Sequence, residues 1–346
     1  MIRPFAALLV AVCLAASAAP AAAESARQSY ATRADVREFI GEMADEYGFD
    51  RAALRRVFAN VHYQKAIVAA MDRPLREPPK WFEYAPQFLA APRVDAGVAY
   101  WDAHADDLAR AEERFGVPAE IIVAILGVES FYGKYMGSYR TVDALTTLAF
   151  DYPRRAAFFR GELKQFLLLA RELKLPALAA KGSFAGALGV PQFMPGSYRN
   201  FAVDFDGSGT ADLWNSPADV IGSVANYLAR HDWQRGQPVL LTASIDEGAR
   251  EAVLRKLDGG LSERRAIAAW SVDGVAPVAA PEDLAPDPVG VLLLEERADG
   301  ADADSYWIAC NNFYVITRYN RSRLYATDVW ALAKAIKDAH VATARN

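Results

Sequence analysis

Cysteine is almost absent from this chain of 346 residues, with Cys13 and Cys310 the only two. Cys13 falls inside an N-terminal apolar run that reads as a removable leader, so the mature chain keeps one thiol and no intramolecular disulfide can form. Stability must come from packing, and 53% hydrophobic residues suffice to fill one large or two to three small cores. Histidine is nearly as scarce: His62, His104, His231 and His340 show no zinc-ligand spacing. No serine elbow and no phosphate loop is present, which sets aside a metal hydrolase and a nucleotide enzyme. Positive charge is in deficit, 38 Lys and Arg against 43 Asp and Glu, a poor basis for binding nucleic acid. Past the N-terminus no apolar run approaches the roughly 20 residues needed to cross a bilayer, so a soluble mature protein is expected.

Residues 1–23 carry one charge, Arg3, then an apolar run from Pro4 to Ala18 and a small-residue stretch Ala21-Ala22-Ala23 before Glu24. This is the anatomy of a secretory signal peptide cut after Ala23, and it places the mature protein in the periplasm. Lipid attachment at Cys13 is conceivable but disfavoured, because Val12 is bulkier than the residue that usually precedes a lipidated cysteine.

From Thr32 to Leu173 the apolar spacing and the Asp, Pro and Gly boundaries predict helices over Ala34–Tyr47, Arg51–Val57, Asp95–Phe115, Pro118–Tyr132, Thr141–Phe150 and Arg154–Leu173. The segment Arg73–Arg93 holds five prolines with Trp81, Phe82, Tyr84 and Phe88; it reads as a connecting loop, of a composition that also suits a sugar platform. In the Pro118 helix, Ile121, Ile122, Ile125 and Leu126 recur at spacings of three and four, and Glu129 continues their stripe. Gly133 is the expected terminator. A carboxyl placed there loses water and faces the partial negative charge of the helix end, and both raise its pKa toward what a general acid needs near neutral pH. Most semi-buried Glu residues pair with Lys or Arg, so the helix alone leaves a structural role open.

Beyond Lys181 a glycine-rich segment runs Gly182-Ser183-Phe184-Ala185-Gly186 to Gly189-Val190-Pro191-Gln192-Phe193-Met194-Pro195. Glycine permits close backbone approach to a ligand and Ser183 and Gln192 offer hydrogen bonds, although an ordinary interhelical connection has the same composition. Asp204-Phe205-Asp206-Gly207-Ser208-Gly209-Thr210-Ala211-Asp212 spaces oxygen-bearing side chains as the front half of an EF-hand loop does. Its twelfth position is Asn215 rather than Glu, so Asp219 is the expected closing ligand beside Asp204, Asp206, Ser208 and Thr210; the alternative is an Asp/Gly turn without metal. Pro217–Arg230 reads as another helix. From there the pattern turns strand-like over Val239–Ala243, Val289–Leu294 and Trp307–Ile316, with short helices over Val253–Leu257 and Arg264–Ala269 and a last helix over Ser322–Lys337.

The ordered motifs Gly127-Val128-Glu129-Ser130-Phe131-Tyr132-Gly133, Asp143-Ala144-Leu145-Thr146-Thr147-Leu148, Tyr152-Pro153-Arg154-Arg155, Lys181-Gly182-Ser183-Phe184-Ala185-Gly186, Pro191-Gln192-Phe193-Met194-Pro195, Gly222-Ser223-Val224-Ala225-Asn226-Tyr227 and Thr317-Arg318-Tyr319-Asn320 resemble the lytic murein transglycosylase B family over nearly all of the mature chain. The resemblance implies a mainly α (α+β) protein: a lysozyme-like core over 118–237 with the EF-hand-like loop at 204–219, an α-helical region over 24–117, a small antiparallel β module over 238–316, and a C-terminal segment over 317–346 returning to the core. It implies cleavage of the β-1,4 bond between N-acetylmuramic acid and N-acetylglucosamine by one Glu, here Glu129, with a 1,6-anhydro product. Tyr84, Arg154, Arg155, Ser183, Gln192, Tyr227, Tyr319 and Asn320 take family-like binding roles. No cofactor for catalysis is implied, and the loop suggests a structural calcium ion. The expected partners are peptidoglycan glycan strands and cell wall synthesis or remodelling proteins, with the chain itself a monomer. The alternatives are a hydrolytic muramidase and a non-catalytic peptidoglycan-binding protein.

Overall fold

Two helices stop at a glycine in the left-handed region, which costs that residue little: Gly48 (φ 67°) and Gly116 (φ 75°). The computed structural model describes residues 29–73, 78–298 and 301–344; the expected leader, with Cys13, lies outside them. In chain order come α1 (Ala34–Tyr47), α2 (Arg51–Ala59), α3 (Lys65–Met71), α4 (Trp81–Tyr84), α5 (Ala91–Ala103), α6 (Ala105–Phe115) and α7 (Ala119–Ser130). Next are β1 (Tyr139–Arg140), α8 (Thr141–Asp151), α9 (Ala156–Glu172), β2 (Lys181–Gly182), α10 (Pro195–Phe201) and α11 (Pro217–Arg230). The chain continues through β3 (Leu240–Ile245), α12 (Arg250–Leu254), β4 (Leu257–Asp258), β5 (Leu261–Ser262), α13 (Ile267–Val272), β6 (Val275–Pro277), β7 (Gly290–Ala298) and β8 (Ala301–Ala309), and ends in α14 (Asn311–Ile316) and α15 (Arg323–Ala344). No helix of the described residues is long and apolar enough to cross a membrane.

The chain forms two units that cut across the segments expected from sequence. Of the described residues, the first contains 29–73 and 133–202. Its helices pack around Phe39, whose ring meets Phe58 and Phe150 edge-on at 5.9 Å each. Asp143, buried at the start of α8, accepts both Nε and Nη2 of Arg140 at 2.8 Å and the His62 amide at 3.2 Å, which ties the α2–α3 connection to that helix. The pair β1–β2 is a two-residue antiparallel ladder.

The second unit contains residues 78–132, 203–298 and 301–344 of those described. At its centre lies α7, packed by α5, α6, α11 and α15. Its apolar residues were expected to form one stripe; instead Ala119, Ile121 through Gly127 and Ser130 are all buried, as in a helix enclosed on every side. Six antiparallel strands in the order β4-β5-β7-β8-β3-β6 make the sheet, with Trp270, Val253, Val275, Val291 and Ile308 in its core.

Three sequence expectations need correcting in this unit. The apolar run Trp307–Ile316 is a strand only to Ala309, and Asn311–Ile316 turns into α14. There the buried Asn312 side chain donates to the carbonyls of Gln234 and Gln237 at 2.9 and 2.8 Å and accepts the Gln234 amide at 2.8 Å, a tertiary demand that overrides β propensity. The span Asp95–Phe115 breaks at His104 (φ −129°) into α5 and α6. Within Arg73–Arg93, expected as a loop, Trp81–Tyr84 is helical and α5 has begun by Ala91.

Candidate active site

The helix that carries Glu129 ends in an unusual way. Phe131 and Tyr132 sit in the left-handed region at φ 52° and 55°, ahead of Gly133 at φ 89°. So α7 stops at Ser130, earlier than Gly133 was expected to stop it, and two aromatic residues take a conformation that costs on the order of 1–3 kcal/mol each. Packing offsets that cost. The Tyr132 hydroxyl donates to the Arg93 carbonyl at 2.9 Å, and its ring tip fills a notch between α5 and α7 where a Cβ on Gly97 or Gly127 would come within 2.6 or 2.5 Å of the Tyr132 oxygen. The Arg93 guanidinium lies 4.9 Å from the Phe88 ring centre and 5.0 Å from that of Phe131, and donates to the Gly127 carbonyl. The last turn of α7 is therefore held from both sides.

Glu129 projects among phenols. The Tyr325 hydroxyl, from the first turn of α15, donates to Glu129 Oε1 at 2.5 Å. Tyr84, Tyr227 and Tyr319 are close enough for a carboxylate there to disfavour their ionisation; burial, the larger cause, pushes all three up, Tyr227 to about 12. Some Glu129 surface stays accessible, but crowding around the carboxyl makes desolvation dominant and pushes its pKa up to about 7, against the opposing pull of the Tyr325 hydrogen bond. Among the described residues no Lys or Arg forms an ion pair with it. The structural role left open by the sequence thus lacks its partner.

The neighbouring rings are themselves braced. Tyr227 donates to the Arg318 carbonyl at 2.8 Å and its ring lies 4.7 Å from that of Tyr319. Tyr84 lies 5.2 Å from Phe88. Asn320 is half-buried, its backbone carbonyl accepting the Ser322 amide at 2.7 Å. Sequence reasoning missed two groups here. Tyr325 carried no motif, only a place on the buried face of a helix nearly two hundred residues beyond Glu129. Asp328, one turn later, is fully buried, and neither carboxyl oxygen has a hydrogen-bond partner among the described residues; burial pushes its pKa well up and Arg93 opposes that.

The remaining expected binding residues belong to the first unit. Ser183 Oγ accepts the amides of Ala187 at 3.0 Å and Ala185 at 3.3 Å, and the Gln192 side chain (φ 51°) donates to the carbonyls of Gly189 and Met136 at 2.7 and 3.2 Å. Both brace the glycine-rich segment itself. The close approach its glycines allow is to the protein's own chain: a Cβ on Gly182 would lie 2.2 Å from the Ala187 carbonyl oxygen. Arg154 and Arg155 are exposed on a single 3₁₀ turn, with Arg155 4.4 Å from the Phe158 ring centre.

In the second unit, carboxylate oxygens of Asp204, Asp206 and Asp219 gather within 4.8 Å of one another. Gly207 (φ 75°) and Gly209 (φ 101°) supply the left-handed bends of the loop. Buried Asp219 accepts the amides of Phe205 and Asp206 at 2.6 and 3.1 Å through one oxygen and that of Asp212 at 2.8 Å through the other. Asn215, at the twelfth position of the loop, donates its side-chain amide to Asp212 at 2.9 Å. Three converging carboxylates with Ser208 and Thr210 nearby form an all-oxygen donor set, which fits a hard cation such as calcium.

A profile of the Transglycosylase SLT domain matches residues 31–334. The membrane-bound lytic murein transglycosylase B of Escherichia coli is 39% identical over 321 residues, 90% of this chain and 85% of that protein. The crystal structure of catenated lytic transglycosylase SltB1 from Pseudomonas aeruginosa is 46% identical and superposes with a TM-score of 0.82 over 90% of this chain and 99% of that one. Escherichia coli lytic transglycosylase Slt35 in complex with calcium is 39% identical, with a TM-score of 0.80 over 90% of this chain and 95% of that one.

Proposed function

The chain belongs to the transglycosylase SLT domain family and is an enzyme that degrades peptidoglycan; from that premise we propose that it cleaves the β-1,4 bond between N-acetylmuramic acid and N-acetylglucosamine without water, leaving a 1,6-anhydromuramic acid end. The observation that carries the proposal is Glu129: a carboxyl with a pKa pushed up to about 7, no cationic partner among the described residues, and one strong phenolic donor. Near neutral pH such a group holds a proton it can give up.

In the proposed reaction Glu129 transfers that proton to the glycosidic oxygen as the bond from C1 to that oxygen breaks. The muramic 6-hydroxyl then bonds to C1 of its own ring, and its proton passes to the Glu129 carboxylate, which restores the acid. No net charge or water is consumed. Tyr325 supports the middle of the cycle, since its hydrogen bond strengthens when Glu129 is ionised. Conventional glycosidases need a second carboxylate for water or for covalent attack. Asp328, the other carboxyl sensed by the Tyr84 phenol, has both oxygens sealed from solvent and is unsuited to either task.

We propose Tyr84, Tyr227, Tyr319 and Asn320, around Glu129 in the second unit, for sugar contacts there; within the first unit, Ser183, Gln192, Arg154 and Arg155 are proposed as substrate-binding residues in their own right. The Asp204–Asp219 loop would hold calcium in a structural role through Asp204, Asp206, Ser208, Thr210 and Asp219, the ion neutralising their converging charge. The proposed location is the periplasm, reached by the leader in residues 1–23, with turnover and remodelling of the cell wall as the task and a monomer as the working form. Digesting peptidoglycan with the mature protein and weighing the muropeptides tests the reaction: products one water lighter than hydrolytic ones, absent with Glu129→Gln, are expected. Hydrolytic masses would make it a muramidase, and binding without release a non-catalytic wall protein.

A further inference from the structure

Beyond Leu292, where β5 last pairs with β7, and beyond Trp307, where β3 last pairs with β8, the β7–β8 hairpin continues as a two-stranded arm. An isolated hairpin is marginal in water, so the arm must be held by something else. Side chains alternate along a strand, which puts Glu295 and Arg297 of β7 on one face, two residues apart. Each grips a different element. Glu295 accepts Arg323 Nη2 at 3.0 and 3.2 Å, and the same guanidinium donates to the Leu293 carbonyl at 3.0 Å and to that of Gly259. The Arg323 side chain is only 10% exposed, and the β4–β5 turn is shaped around it: a Cβ on Gly260 (φ 86°) would lie 2.6 Å from its Nε. Arg323 opens α15, two residues before Tyr325. Arg297 places its guanidinium 4.1 Å from the ring centre of Phe82 on α4, which packs against β7 and carries Tyr84 two residues on.

We propose that strand β7 is a positioning element of the active site: Glu295, through Arg323, and Arg297, through Phe82, hold the starts of α15 and α4 so that the hydroxyls of Tyr325 and Tyr84 stay around Glu129. The proposal rests on the reading of Glu129 as the acid. It gives the sheet a task in the reaction, although the sheet itself contributes no group that reaches the carboxyl. The titratable groups that interact with Glu129 from the elements around it are Tyr84 on α4, Tyr227 on α11, Tyr319 before α15 and Tyr325 on α15; Arg93 on α5 bonds the Gly127 carbonyl of the same helix, and Asp328 on α15 interacts with Tyr84 and Arg93. Of these, β7 reaches Tyr325 through Glu295 and Arg323, and Tyr84 through Arg297 and Phe82.

The two grips separate kinetically. Tyr84 contributes to sugar binding, so Arg297→Ala should raise KM about two- to fivefold, the range an exposed cation–π contact sets, with kcat held within about twofold. Arg297→Lys keeps a cation over the ring and should recover most of the loss. Tyr325 lowers the Glu129 pKa, so Glu295→Gln, which loosens Arg323, should move the alkaline limb of the kcat/KM profile upward by several tenths of a pH unit. Val275→Ala on β6, in the sheet core but off β7, is the control, expected to lower Tm while leaving KM and the pH profile unchanged. All four variants are assayed as mature full-length protein on solubilised glycan strands. An active wild type whose KM and pH profile survive both Arg297→Ala and Glu295→Gln, or whose changes are reproduced by Val275→Ala, overturns the role of β7. A wild type with no glycan cleavage at all overturns the functional reading instead.

Discussion

Replacing Glu129 with Gln should stabilise the protein at alkaline pH while abolishing its activity. In the unfolded chain the carboxyl titrates near its ordinary 4.5, and in the fold burial pushes it up to about 7. Between those values the folded state binds more protons than the unfolded one, so stability falls as pH rises through this window, and the full penalty is in place above the folded pKa. At about 1.4 kcal/mol for each tenfold change in proton affinity, the move from 4.5 to about 7 corresponds to about 3 kcal/mol. Gln keeps the shape and the acceptor for the Tyr325 hydroxyl but cannot ionise. The stability difference between Glu129→Gln and wild type should therefore be small at pH 4 and grow by about 3 kcal/mol at pH 8.5, a sizeable share of an ordinary unfolding free energy. Urea unfolding of both proteins at the two pH values, with m-values checked for equality, measures it. A difference that is the same at both pH values would refute the claim that the fold pushes the Glu129 pKa up to about 7.

Tyr325→Phe removes the donor that favours the carboxylate, so the alkaline limb of the activity profile should move up in pH while kcat falls at its optimum; an unmoved limb speaks against the hydrogen bond. Gly127→Ala drives a methyl to 2.5 Å from the Tyr132 oxygen and should cost about 1–3 kcal/mol of stability, together with much of the activity, because the strained end of α7 must shift; thermal unfolding and assay in parallel check both. Calcium should raise the Tm of the wild type and not that of Asp219→Asn, which loses a charge from the cluster; equal responses in a calorimeter would remove Asp219 from the ligand set.

Much of the helical framework was legible because its boundaries are chemical. Ala34–Tyr47 ends at the left-handed Gly48, and Pro217–Arg230 begins at the capping Ser216 with Pro217 behind it, signals that act whatever surrounds them. That Glu129 is drawn partly inward was legible as well, from the isoleucines on its side of the helix, but the burial of α7 on every face was not. The rest depended on partners distant in the chain. Phe131 and Tyr132 adopt φ values their residue types disfavour, and the reason lies in Gly97, Gly127 and Arg93, none of which signals it locally. Asn311–Ile316 reads as strand until Asn312 is seen closing the Gln234–Gln237 turn. Tyr325 is one tyrosine among 15, and only the packing of α15 on α7 singles it out.

Digestion of peptidoglycan in heavy-oxygen water tests the central claim most directly, because it asks where the attacking oxygen comes from. If Glu129 delivers the muramic 6-hydroxyl to its own anomeric carbon, the new ends are anhydro sugars and carry no heavy oxygen. Reducing ends that take up one heavy oxygen per cleavage would contradict the account and require a water-activating base that the site, as built around one carboxyl, does not present.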